Sequence, residues 1–192
     1  MNSTHLRIAL VRLSALGDIV NTAVALQIIK KHYPDSTIDW YVEEAFEPLL
    51  KGHPLLHKTI PIPLKRIKKT RDLTLLKQLI RTLKNQEPYD IVIDVQGLLK
   101  SALVSFFIPG KKHGFDRKSI RESIASWFYT TTSSIPYTEN IVRRNIKVIT
   151  DALHLTFDES EIISKKPVFP CQNSQKISAI ALVIGASWPS KC

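Results

Sequence analysis

Apolar residues gather in short runs at residues 6–12, 38–42, 58–61, 91–95 and 177–184, each bounded by polar or turn-forming positions. Runs of this length, rich in Ile, Val and Leu, read as buried strands. Between them the spacing changes to that of helices. Ile19, Ala23 and Leu26, with Lys30 next in the row, follow the first run. Leu73, Leu76, Ile80 and Leu83 form a second row, and Val142, Ile146, Ile149 and Leu153 a third. Strands alternating with such helices predict an α/β fold, a parallel sheet with helices on both faces.

The first strand-to-helix junction carries the sharpest chemical signal. Val11-Arg12-Leu13-Ser14-Ala15-Leu16-Gly17-Asp18-Ile19 passes from an apolar run through a small-residue turn to a carboxylate at the start of a helix. In open parallel sheets ligands bind outside the carboxyl ends of the strands, where such turns lie. Asp18 is therefore a candidate for chemistry. Asp is equally a favoured helix N-cap, and the local pattern leaves both readings open.

The stretch 156–176 differs from the rest. It holds Pro167, Pro170, a Lys165-Lys166 pair and a polar run at 172–176, the composition of an interdomain linker. One apolar run follows, then Gly185-Ala186-Ser187-Trp188-Pro189-Ser190-Lys191. A lone parallel strand has no sheet to join. The organisation expected is a domain at 1–155, a linker at 156–176, and at 177–192 the first strand and loop of a second, truncated domain.

Charge and composition narrow the partners. The 192 residues hold 27 Lys plus Arg against 17 Asp plus Glu, a net charge of +10 that favours an anionic partner: nucleic acid, a phosphorylated substrate or an acidic membrane surface. No apolar run approaches the roughly 20 residues of a membrane span. The first residues lack the regions of a secretory signal, so a cytoplasmic protein is expected. Cys171 and Cys192 are too few for a disulfide framework or a cysteine zinc site. His53-Pro54-Leu55-Leu56-His57 has a metal-like spacing, but Pro54 and the lack of a third ligand argue against zinc. No Gly-x-Gly-x-x-Gly, P-loop or Asp-x-Asp motif occurs.

Three further segments complete a pattern with the Ser14–Asp18 turn. They are Asp39-Trp40-Tyr41-Val42-Glu43-Glu44, then Asp94-Val95-Gln96-Gly97-Leu98-Leu99-Lys100-Ser101, then His113-Gly114-Phe115-Asp116 with Ile120-Arg121-Glu122. In this order they resemble the bacterial lipopolysaccharide heptosyltransferases, and the Asp39–Glu44 and Asp94–Ser101 segments resemble the type I members. The resemblance implies the N-terminal half of a GT-B glycosyltransferase, two Rossmann-like domains across a cleft. It implies inverting transfer of heptose from ADP-heptose to the Kdo of lipid A, with no metal or other cofactor, by a cytoplasmic protein peripheral to the inner membrane.

The resemblance also assigns residues. Asp18 matches the family's proposed catalytic base. Lys65, Arg66, Lys68 and Lys69, in a basic run that otherwise reads as a solvated loop, match acceptor-binding positions. Arg121, otherwise a surface residue, matches another, and Gln96 and Lys100 belong to the same polar strand end. Ser187 and Lys191 match the donor loop that contacts the ADP phosphates. Glu43 and Glu44 could simply cap the next helix. With the donor side reduced to a strand and a loop, the chain is expected to be an incomplete catalyst. Two other readings of the basic chain stay open: a nucleic-acid-binding module, which lacks aromatics within its basic run, and a non-catalytic truncated gene product.

Overall fold

A computed structural model describes residues 5–169. The opening apolar run becomes β1 (Arg7–Val11). It leads into α1 (Leu16–His32), then β2 (Thr37–Glu43), the short α2 (Glu47–Leu50) and β3 (Lys58–Ile62). Next come α3 (Leu64–Thr70), α4 (Leu73–Lys84), β4 (Tyr89–Asp94) and α5 (Leu99–Phe107). The last elements are β5 (Gly110–Phe115), a 3-10 helix (Ser123–Phe128), β6 (Thr131–Ser133), α6 (Ile141–Ala152) and α7 (Ser160–Ile163).

Among the described residues all six strands are parallel and lie in the order β3-β2-β1-β4-β5-β6. The expected parallel α/β sheet is thus present, in the doubly wound order of Rossmann folds. Alternation along β1 divides the core. Ile8 and Leu10 join the apolar cluster that α1 and α6 cover, while Ala9 and Val11 join the one covered by α4 and α5. Pro61 sits in β3, an edge strand, where its missing N–H leaves no gap in the ladder's interior.

Two strands carry no apolar signature. β5 reads Gly-Lys-Lys-His-Gly-Phe and β6 only Thr-Thr-Ser. His113 makes this region pair. Its Nδ1 meets Thr131 Oγ1 at 2.8 Å and its Nε2 meets Ser133 Oγ at 2.9 Å, so hydroxyls rather than apolar contacts tie β5 to β6. Burial pushes the His113 imidazole down to about 4.

Asp72 and Asn140 cap α4 and α6, accepting backbone N–H groups two or three residues on. Along α6 the expected face of Ile146, Ile149 and Leu153 is buried. Along α4 the buried arc runs through Leu79 and Leu83, and Leu73 lies about a quarter-turn away and stays exposed. Residues 158–169 return along the domain. The Gln27 amide exchanges hydrogen bonds with the Lys166 backbone, and Val168 and Phe169 pack on the α1 core. The expected strand at 177–184 and both cysteines lie outside the described residues.

Candidate active site

The strand order reverses between β1 and β4. α1 leaves β1 for one face of the sheet and α5 leaves β4 for the other, so their connecting turns part and open a cleft at the carboxyl edge. The cleft encloses about 570 Å³. Its lining includes Arg12, Asp18, Gln96, Arg121, Tyr137 and Arg144.

Asp18 occupies the third position of α1, not the cap. Ala15 is the N-cap, and its backbone N–H donates to Asp18 Oδ2 at 3.3 Å. The same oxygen accepts from the Arg12 guanidinium at 2.8 Å. Oδ1 has no hydrogen-bond partner among the described residues. The Asp18 side chain is 39% exposed and that of Arg12 only 5%. Arg12 also donates to the Val95 carbonyl at 2.6 Å, which anchors it to the end of β4. Burial lowers the Arg12 pKa, and Asp18 beside it acts in the opposite direction. The arrangement is a carboxylate gripped on one oxygen, with the other facing no protein donor.

Asp94 shapes the opposite turn. It is fully buried, and burial raises its pKa. Its Oδ1 accepts the backbone N–H groups of Gln96 and Gly97 at 2.8 and 3.1 Å, and its Oδ2 accepts the Tyr129 hydroxyl at 2.8 Å. Gly97 has φ +67°, and a Cβ there would lie 2.5 Å from Ile120. Only glycine combines that backbone with so close an approach. Ser14 joins the two turns. Its hydroxyl accepts from Lys100 Nζ at 2.9 Å and from Gln96 Nε2 at 3.3 Å, while Gln96 Oε1 accepts from the Leu13 N–H at 2.9 Å.

Arg144 forms the far wall. It donates to the carbonyls of Ser119 and Pro136 at 2.7 and 3.3 Å, and its guanidinium lies over the rings of Phe115 and Tyr137. Gly17 lies beside Asp18 on α1, and a Cβ built on it would meet nothing within 4 Å. The pattern of glycosyltransferase family 9 (heptosyltransferase) matches residues 76–192, well over half the chain.

The chain belongs to glycosyltransferase family 9.

Curated relatives agree with that family. The chain is 41% identical to "Lipopolysaccharide heptosyltransferase 1" of Campylobacter coli over 171 residues, which span 89% of this chain and 48% of the relative. It is 36% identical to the protein of the same name from Pseudomonas aeruginosa, over 81% of this chain and 45% of that one. Among solved structures it resembles "E. coli heptosyltransferase WaaC with ADP-2-deoxy-2-fluoro heptose", with a TM-score of 0.73, 30% identity, and coverage of 79% of this chain and 49% of the other. The chain spans about half the length of the curated relatives it matches.

The residues anticipated from sequence fall into three groups in this family 9 domain. Asp18, Gln96 and Arg121 line the cleft, and Lys100 reaches it through Ser14. Lys65, Arg66, Lys68 and Lys69 do not line it. They lie on α3 beyond β3, so the run is a helix and not a loop. Lys65 Nζ sits 5.1 Å from the Phe46 ring centre and Arg66 lies 3.4 Å from Glu44. Ser187 and Lys191 lie outside the described residues. Glu43 does cap a helix, but a later one than the next: its buried carboxylate accepts the Lys65 N–H of α3 at 2.9 Å. His53 and His57 part company. His53 Nε2 meets the Val168 carbonyl at 2.8 Å, and His57 Nδ1 meets Asp39 at 2.8 Å.

Sequence reading missed Arg12, Ser14 and Arg144. A charge closing an apolar strand was a usable signal for Arg12. Arg144 gave none, because its burial depends on Phe115 and Tyr137, which lie far from it in sequence.

Proposed function

We propose that residues 1–155 are the acceptor-binding domain of a lipopolysaccharide heptosyltransferase of type I. The enzyme transfers heptose from ADP-heptose to the Kdo of lipid A. On this reading 156–176 is the linker and 177–192 begins the donor domain, with Ser187 and Lys191 at the ADP phosphates. Asp18 takes the proton of the acceptor hydroxyl as that oxygen bonds to the anomeric carbon, and ADP departs with inversion. General-base help of this kind contributes about 10²–10⁴-fold.

The observation that carries the reading is the pairing of Asp18 with Arg12. One oxygen is fixed by a buried guanidinium tied to Val95, and the other is left for a proton from the cleft. Arg12 positions the base and Asp18 performs the transfer. Arg121 at the mouth and the cations of α3 suit the carboxylates and phosphates of a Kdo-bearing lipid A. Transfer requires no metal or other cofactor. The protein works at the cytoplasmic face of the inner membrane, as a peripheral protein with no nucleic-acid partner. Among the described residues no helix is long and apolar enough to cross a membrane.

The test uses ADP-heptose and Kdo-lipid A with two proteins: this chain, and a chimera joining residues 1–176 to the remaining half of the Campylobacter coli relative. Transfer by the chimera and none by the chain is the expected result, because the acceptor oxygen and anomeric carbon must be held within about 3–3.5 Å. A chimera that folds, binds ADP-heptose and ignores the acceptor removes the proposal.

A further inference from the structure

α5 leaves one face without a partner. Leu99, Leu103 and Phe106 recur at i, i+4 and i+7, so they form one stripe, and all three are exposed. Beside it the 3-10 helix exposes Ile124 and Trp127, three residues apart and therefore on one side of a three-residue turn. Trp127 is 74% exposed. The two stripes are one surface: α5 packs on the 3-10 helix, and the Phe106 and Phe128 rings meet edge-to-face at 5.6 Å. Scattered apolar side chains are ordinary on a surface, but five in one patch with a tryptophan mark an interaction site.

Cations rim the patch. Lys84 Nζ lies 5.5 Å from the centre of the Phe107 ring, itself in contact with Phe106. Lys100 lies next to Leu99 in α5, and Arg121 precedes the 3-10 helix; both are exposed. Both acids on the same loop are engaged: Asp116 accepts the Lys118 and Ser119 N–H groups at 3.1 and 2.8 Å, and Glu122 accepts the Leu99 N–H at 2.7 Å. An apolar, aromatic centre inside a basic rim is the pattern of surfaces that lie in the headgroup region of anionic bilayers. The whole chain carries the matching sign, +10.

We propose that this patch docks the protein on an anionic phospholipid bilayer, with Leu103, Phe106, Ile124 and Trp127 in the interface and Lys84 and Arg121 on the lipid phosphates. The patch begins where the cleft ends: Leu99 follows Leu98 of the cleft lining, and Ile124 lies three residues after Arg121. A substrate anchored in the bilayer would reach Asp18 across this rim. The proposal rests on the proposed function for the peripheral placement at a membrane and for that last point; the surface and its residues come from the geometry alone.

Vesicles without acceptor or donor keep the two questions apart. The chain is studied with Trp188→Phe, so that Trp127 and the buried Trp40 are the only indoles. With phosphatidylglycerol vesicles, Trp127 emission should shift to the blue and be quenched by brominated lipid. Leu103→Glu with Trp127→Glu should lower vesicle partitioning by about tenfold or more, while the Trp40 signal shows an intact fold. Replacing Lys65, Arg66, Lys68 and Lys69 with Ala should weaken partitioning at low salt yet leave the quenching of bound protein in place. Unmoved Trp127 emission, or equal partitioning of the double variant, overturns the proposal. So does a lipid-free dimer that Trp127→Glu dissolves and that vesicles do not compete with.

Discussion

Arg12 and Arg144 in the cleft, and Lys65, Arg66, Lys68 and Lys69 on α3, are all cations near the carboxyl edge of one sheet, but they are held in opposite ways. The cleft pair is buried, with hydrogen bonds to Val95, Ser119 and Pro136. The α3 group is exposed, and its contacts are one ring and one long ion pair with Glu44. Burial in a low-dielectric wall fixes geometry at a desolvation cost, whereas exposed charges keep their freedom and act through a field that salt screens. The first kind suits the placing of a proton acceptor, and the second suits the gathering of an anionic substrate.

The comparison breaks at Asp18 if the cleft is only structural. Asp18→Asn in the chimera should lower kcat by about 10²-fold or more while leaving thermal stability nearly unchanged. Asn at this position still accepts the Ala15 N–H, so near-normal turnover would make the side chain a helix-start device alone. Arg12→Ala should be the costliest for the fold, by about 2–3 kcal/mol in urea unfolding, since it leaves the Val95 carbonyl without its donor and removes a buried stem. Arg12→Lys should keep more of that stability yet still lose transfer, because a single ammonium cannot hold Val95 and Asp18 as a fork does.

On α3 the outcome should reverse. Replacing the four cations with Ala should raise the acceptor KM by roughly tenfold with kcat little altered, the sign of binding shared by ground and transition states. The effect should fade with added salt, and unfolding should move by less than about 0.5 kcal/mol. A fall in kcat with KM intact would place α3 beside the chemistry and erase the contrast.

A pH-dependent effect concerns His113, which is fixed by burial as the cleft arginines are but lies away from the cleft. Its folded-state pKa of about 4 lies below the ordinary imidazole value. Between those values the unfolded chain takes up a proton that the native one refuses, so stability is full above about pH 6.5 and falls as pH drops toward 4. The loss should reach roughly 1 kcal/mol near pH 6 and about 3 kcal/mol near pH 4, and His113→Gln should flatten that part of the pH–melting curve.

These elements differ in how far the sequence reveals them. β1, β2 and β4 were legible because their burial on both faces leaves runs that are apolar but for Asp39 and Asp94. β5 and β6 were not, since a histidine bonded to two hydroxyls does there what Val and Ile do elsewhere. Asp18 could be read because its turn at a strand end has a local pattern, whereas Gln96 and Arg121 were assigned by the resemblance to the heptosyltransferases. Arg144 becomes part of the site only once Phe115 and Tyr137 meet across the fold. The basic run at 65–71 showed its charge but not its helix, which depends on Glu43 reaching from β2 to cap it.

Gly17 sets a trap for anyone who improves this protein by its melting temperature. A methyl group there meets nothing within 4 Å of its own chain, and alanine would strengthen the first turn of α1 by about 0.5–1 kcal/mol. A stability screen would therefore select Gly17→Ala early. Yet Gly17 immediately precedes Asp18, the proposed base, in the first turn of α1. The variant should melt a few degrees higher and transfer more slowly, a case of robustness and activity pulling one residue in opposite directions.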